Sequence, residues 1–363
     1  MADADRYHSL QLRLGLLAFG ISVAYLLALL LTGTGHAVAQ WAARITPSTP
    51  GQVALVALAL GLAHGALGLP VTLARGYWLP RRFGLLHQPF RAWLADRLKA
   101  LLIGGTLSFA AVEITYILIA ETSLWWLVAA AVFFVAQVAL TAVLPVWVVP
   151  LFYRLSPLAD AELRERLLRL ARRANVEAVD VFVADHSRKS RTANAAVVGL
   201  GRTRRIILFD TLLANFAPEE IEAVLAHELG HHVHGDVRRG LLVRGALLLV
   251  TARLVALGLD AGVVLLGLSG PADPAGLPWL ALLLLALGLI QLPVGNGFSR
   301  WIERQADDFA LATTGNARAF IAAMERLARL NMAERRPNRL KEIIFHSHPA
   351  LERRIARARG GPA

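Results

Sequence analysis

Two histidines four positions apart, His227 and His231, flank Glu228, and a further glutamate, Glu303, stands in a later segment of the chain. On an α-helix, residues i and i+4 share a face, so both imidazoles can turn toward one metal ion while Glu228 sits beside it. Catalytic zinc sites use three protein ligands and keep a fourth position for water, whose pKa falls to about 7. A carboxylate in the place of Glu228 can take that water's proton as it attacks a peptide carbonyl. The third ligand must come from elsewhere, carboxylate is a usual partner of two histidines, and Glu303 is the candidate. The expected cofactor is one Zn2+ per chain, bound by His227, His231 and Glu303. The chain has no cysteine, which excludes thiolate ligands and disulfides.

This chemistry needs a helix under the two histidines, and the preceding residues supply one. Pro218 stands at a first helical position, Glu219 and Glu220 follow in the first turn, and Ile221, Val224, Leu225 and Leu229 recur at helical spacing. Further upstream, residues 158–174 read as an amphipathic helix, and 179–183, 195–198 and 205–209 as short strands. A small sheet beside the motif helix offers a peptide an exposed strand edge to pair with. The tail from about 298 to 356 reads as helices interrupted near Asn338 and Pro349. His232 and His234 fall on other faces of the motif helix and are expected to face solvent.

These elements are set among apolar segments. Of 363 residues, 56% are hydrophobic, and the mean hydropathy is +0.52, too apolar for two soluble domains. Six stretches, roughly 13–32, 52–74, 100–120, 124–150, 241–268 and 277–297, are each near or above the ~20 residues that cross a bilayer core. The fold class is therefore a mainly α, polytopic membrane protein. It divides into an N-terminal transmembrane region of about four spans, residues 1–152, and a metallopeptidase domain, residues 153–363, with two further spans. The first stretch is read as retained, because no small-residue cleavage site follows it. His64, Glu113, Arg253 and Asp260 fall inside spans, where an ionisable group facing lipid is costly, so they should face protein or water. Arg253 and Asp260, two helical turns apart, could pair across an interior surface, and simple helix–helix packing explains them as well.

The formal net charge is +12, unevenly spread. Arg75, Arg81, Arg82, Arg91, Arg97 and Lys99 crowd the second connection, and the regions 153–239 and beyond 300 are rich in arginine. The connections near 33–51, 121–123 and 269–276 together carry only Arg44. The positive-inside rule then puts both termini and the catalytic domain on the cytoplasmic side of an inner or plasma-type membrane. No basic helix or stacking motif points to nucleic acid, and topology accounts for the charge.

The segments Val224-Leu-Ala-His-Glu-Leu-Gly-His231, Ser299-Arg-Trp-Ile-Glu-Arg-Gln-Ala-Asp307 and Ser347-His-Pro-Ala-Leu-Glu-Arg353 resemble those of the integral-membrane CAAX prenyl protease 1 family of zinc endopeptidases. Asn194-Ala195 and the run Arg205-Ile-Ile-Leu-Phe-Asp-Thr-Leu-Leu213 match it in the same order. The resemblance implies transmembrane helices enclosing a water-filled chamber, with a zincin-like domain and its metal at the cytoplasmic end. It implies that Glu228 is the base, that Asp307, one turn beyond Glu303, orients a metal-bound histidine, that His348 steadies the oxyanion and that Asn194 helps hold substrate or transition state. Asp308 competes with Asp307 for its role and His346 with His348. The implied partners are the lipid bilayer and a peptide or protein substrate, lipidated or not.

The chain departs from that family in carrying His232 where an aromatic residue is expected and in lacking one N-terminal span of the eukaryotic members. Gly235-Asp236 resembles instead the HtpX-like membrane proteases of the same superfamily, which implies protein quality control as the alternative activity. A reading of another class, a non-catalytic zinc-binding chaperone or binding protein, has no use for Glu228. A transporter would show inverted repeats or broken helices in matching halves, and none is found.

Overall fold

Six helices are long and apolar enough to cross a membrane: Asp3–Leu31, Thr49–Arg82, Phe90–Glu121, Trp125–Val143, Asp236–Leu266 and Pro274–Thr314. They fall on the six expected stretches, in a computed structural model that describes residues 2–176, 178, 180–199 and 204–360. Most run past the expected ends, because hydropathy marks only the bilayer-embedded part while the backbone ladder continues wherever water or protein can surround the side chains. The sixth gains most from this. Its α-helical part, Leu277–Thr314, runs unbroken out of the apolar stretch and carries Glu303 and Asp307.

Each span packs chiefly on its two neighbours in sequence, and the sixth closes back on the first. Packed helices lie 8–10 Å apart, so the axis of a six-membered ring is about 9 Å from every helix and leaves a central space about as wide as a seventh helix. The low burial within the spans agrees: only 6% of the apolar window of the first and third, and at most 22% in the fifth, is buried. The six spans thus close a ring in which most of each apolar window is left unburied. An unexpected helix, Thr34–Ile45, lies in the first connection, beside the segment Pro274–Gly276. At twelve residues it is too short for a span-length pattern to announce it.

Of the two readings of Arg253 and Asp260, the pair does not form. Seven helical residues separate the two by about 10 Å along the axis, and Arg253 instead lies over the Trp126 ring of the fourth span, 5.3 Å from its centroid. Of the other polar groups in the spans, His64 meets Ser22 Oγ at 2.9 Å and Gln291 donates to Thr251 Oγ1 at 2.6 Å, whereas Glu113 Oε1 is buried without a hydrogen-bond partner among the described residues.

Below the ring, four strands form one sheet in the order β1-β2-β4-β3, with β1 Leu155–Pro157, β2 Asp180–Ala184, β3 Ala195–Val198 and β4 Arg205–Phe209. β2 and β4 run parallel, and the outer strands pair antiparallel to them. Three strands match expectation. Val179, expected to begin β2, lies outside the described residues, and β1 has three residues, too few to show alternation. The helix Ala161–Arg173, the motif helix Pro218–Val233 and the tail helix Ala317–Leu330 join the sheet in one core, in which Leu167, Leu170, Ile206, Leu208, Leu225 and Phe320 are almost fully buried.

Candidate active site

The motif helix starts as its sequence dictates. Pro218 opens it, and Glu220 Oε2 turns back to accept the Ala217 N–H at 2.8 Å, satisfying a donor the helix cannot. It ends at Gly235, whose φ of 66° is open to glycine, and the turn sends the chain straight into the fifth span at Asp236. Between these ends the helix lies hard against the extension of the sixth. A Cβ on Gly230 would come within 3.0 Å of Ala306 Cα and 3.2 Å of Phe309 Cβ, so this approach depends on glycine. Gly230→Val is expected to push the two helices apart, costing about 1–3 kcal/mol of stability and lowering metal affinity at least tenfold. Chelator competition with thermal denaturation on the same samples checks this; unchanged metal affinity would mean that the close approach does not set the site.

The helix pair brings His227, His231 and Glu303 together, one atom from each within 4.8 Å of the others. His227 Nε2 is 3.3 Å from Glu303 Oε2, and His231 Nε2 is 3.6 Å from Glu303 Oε1. Ligands about 2.1 Å from a tetrahedral ion stand about 3.4 Å from one another, so these three groups fit one metal ion without rearrangement. Each imidazole meets a carboxylate on its far side. His227 Nδ1 is 2.9 Å from Asp307 Oδ1, and His231 Nδ1 is 2.9 Å from Asp236 Oδ2. Such contacts hold the ring orientation and leave Nε2 for a metal. Asp307 is almost fully buried and takes two hydrogen bonds from Arg354, at 2.8 and 2.6 Å.

Asp236 and Arg354 were missed by sequence reasoning. A carboxylate just behind a helix-ending glycine and five residues past His231 is a signal that could have found Asp236. Arg354 had none, since only the fold of the tail brings the helix Leu351–Ala358 onto the sixth-span helix. Asp308, the rival of Asp307, points away and pairs with Arg357 at 2.6 and 2.7 Å.

His348 reaches the same centre, its Nδ1 2.8 Å from Glu303 Oε2, while His346 is turned to Glu334 at 3.8 Å. Asn194 is exposed at the entrance to β3, where its Oδ1 accepts the Ala195 N–H at 3.0 Å. Asn194, His227, Glu228 and His348 line one cleft of about 830 Å³, which also reaches His8, from the first span, and Arg75, from the second. Burial pushes the Glu228 carboxyl up from its ordinary value. His232 departs from the expectation of a solvent-facing residue. Its Nε2 lies 3.0 Å from Val197 O on β3, and burial holds the imidazole below its usual pKa. His234 also turns inward, edge-on to Phe309. Arg300 caps the helix Arg339–Phe345, donating to Glu342 O at 2.8 Å and His346 O at 2.6 Å.

A ring of six membrane-length helices, with a two-histidine, one-glutamate centre where the sixth runs beyond its apolar stretch, defines a polytopic membrane metalloprotease. The model of peptidase family M48 matches residues 157–361, and one described as the CAAX prenyl protease N-terminal part with five membrane helices matches residues 1–154. The chain belongs to peptidase family M48. It is 28% identical to the uncharacterized metalloprotease YhfN of Bacillus subtilis, over 99% of this chain and 85% of that one. It is 34% identical to CAAX prenyl protease 1 of Saccharomyces cerevisiae, over 45% of this chain and 36% of that one. The crystal structure of S. mikatae Ste24p shares its fold, with a TM-score of 0.86 and 23% identity, over 98% of this chain and 88% of that one.

Proposed function

We propose that the chain is a zinc endopeptidase that cuts CAAX-type peptides, prenylated or not, drawn into the cleft from the cytoplasmic side. The observation that carries this reading is the shared cleft wall: Asn194, Glu228 and His348 stand around one candidate metal centre beside a strand edge. His227, His231 and Glu303 would hold the zinc, which when bound polarises a peptide carbonyl and acidifies a water. Asp307 and Asp236 orient the two histidines, Glu228 takes the proton from the attacking water and passes it to the leaving nitrogen, and His348 with Asn194 donates toward the carbonyl oxygen as it gains charge. The antiparallel register leaves the Ala195 and Val197 backbones on the outer edge of β3, where a peptide can pair. His232 already occupies the Val197 carbonyl and Asn194 Oδ1 the Ala195 N–H, so a peptide pairing here displaces one side chain or both. The uneven arginine distribution supports a cytoplasmic catalytic domain and cytoplasmic termini in an inner or plasma-type membrane.

A second reading, protein quality control of the HtpX type, is favoured by one observation, the Gly235-Asp236 turn that sets Asp236 against His231. One experiment separates the two. Detergent-purified protein is given a prenylated CAAX peptide, the same peptide without its lipid, and a destabilised membrane protein. The expected result is cleavage of the CAAX peptides, stopped by chelator and restored by zinc, with the lipidated one cut faster. Cleavage of the destabilised protein alone would favour quality control, and chelator-resistant cutting would overturn the zinc reading.

A further inference from the structure

Beyond its apolar stretch, which closes near residue 297, the sixth-span helix carries Arg300 and Arg304 in its next two turns, with Trp301 42% exposed between them. At 1.5 Å per residue these positions lie about 4–10 Å past the apolar stretch, the depth of a phospholipid headgroup layer. The short helix Arg339–Phe345 is fastened at the same level. Asn296 Nδ2 donates to Ile344 O at 2.6 Å, and Arg300 grips the neighbouring carbonyls. Two apolar side chains of that helix, Leu340 and Ile343, are 65% and 41% exposed.

Between these helices and the tail lies a cavity of about 390 Å³ lined by Arg300, Arg304, Arg339, Arg353, Arg354 and Arg357, against two carboxylates, Asp307 and Glu342. Arg354 is paired with Asp307, Arg357 with Asp308 and Arg353 with Glu342, whereas Arg304 and Arg339 make no ion pair among the described residues. Guanidinium groups gathered this way repel one another, and an anion between them removes that cost. A planar donor fork suits a phosphate best. A soluble phosphate would leave Leu340 and Ile343 unexplained, while a lipid covers them with its chains and brings its phosphate to the depth where the arginines stand.

We propose that this cavity binds the phosphate of an anionic phospholipid from the leaflet on the catalytic-domain side, with Arg304 and Arg339 as its principal cationic contacts and Leu340 and Ile343 against its chains. Both arginines are exposed and lie outside the metal centre, so their replacement leaves the fold and the protease site in place.

The test uses the full-length, zinc-loaded protein in detergent, titrated with phosphatidylglycerol, phosphatidylcholine or inorganic phosphate, with bound lipid counted by native mass spectrometry. Phosphatidylglycerol should be retained and phosphatidylcholine should not. Arg304→Gln/Arg339→Gln should weaken phosphatidylglycerol binding about twentyfold, and Arg339→Gln alone about fivefold. An unchanged melting temperature shows that the variants are folded. Equal retention of the two lipids by the parent, equal phosphatidylglycerol binding by parent and double variant, or ready displacement of the lipid by inorganic phosphate would each overturn the proposal, the last by making the site one for a soluble anion.

Discussion

Glu228→Gln is expected to lower peptide cleavage by about 10²–10⁴-fold while the protein keeps its metal. The substitution preserves size and shape and removes only the ability to accept a proton. Glu228 sits in the wall of the cleft, one residue from His227 and two from the closest approach at Gly230, so its carboxylate is held beside the centre by the same helix that carries both histidines. A glutamine there leaves the Nε2 atoms of His227 and His231 and the Glu303 carboxylate where they are, and metal content should match the parent. The measurement is turnover of a fluorogenic peptide beside zinc content on the same preparation. Activity within a few-fold of the parent would remove Glu228 from the reaction. Loss of metal along with activity would make it part of the binding site instead.

The two histidines and Glu303 were legible because helical periodicity and donor chemistry act locally: i and i+4 share a face in any helix, and a carboxylate at the end of an apolar stretch needs a reason to be there. The spans were legible for the same reason, since each buries its own hydrogen bonds and its length is set by the bilayer. What escaped were contacts that depend on how separate elements meet. Arg354 reaches Asp307 only once the tail helix has folded back across the sixth span, and His232 reaches Val197 only once the sheet lies beside the motif helix. Arg253 and Asp260, left open between a pair and plain helix packing, stay unpaired for the converse reason. Spacing along one helix is not proximity, and the fourth span offers the Trp126 ring to the arginine. Asp236 lies between these cases, because the turn at Gly235 is local but its consequence for His231 appears only in three dimensions.

Glu303→Ala should give the opposite dissection to Glu228→Gln: metal and activity are lost together. Two carboxylates flank His227, and their settings differ. Asp307 faces Nδ1 and is neutralised by both arms of Arg354, which leaves it an orienting group. Glu303 faces the Nε2 atoms of both histidines, with an oxygen turned toward each, and no arginine pairs with it among the described residues. Without it the centre keeps two protein ligands of the three a catalytic zinc needs. Loss of a group that merely orients a ligand costs about 10–100-fold in metal affinity, and loss of a ligand itself should exceed that. The stabilisation that bound metal lends, about 2.7 kcal/mol when free metal stands at 100 times its Kd, should largely disappear from the variant's thermal unfolding at the same free metal, because the weakened site is then mostly empty. Equilibrium dialysis against zinc, paired with melting curves with and without the metal, reads both effects. One zinc held at parental affinity by Glu303→Ala would mean that another side chain is the third ligand. His348, whose ring nitrogen already stands 2.8 Å from the Glu303 carboxylate, would be the first to replace next.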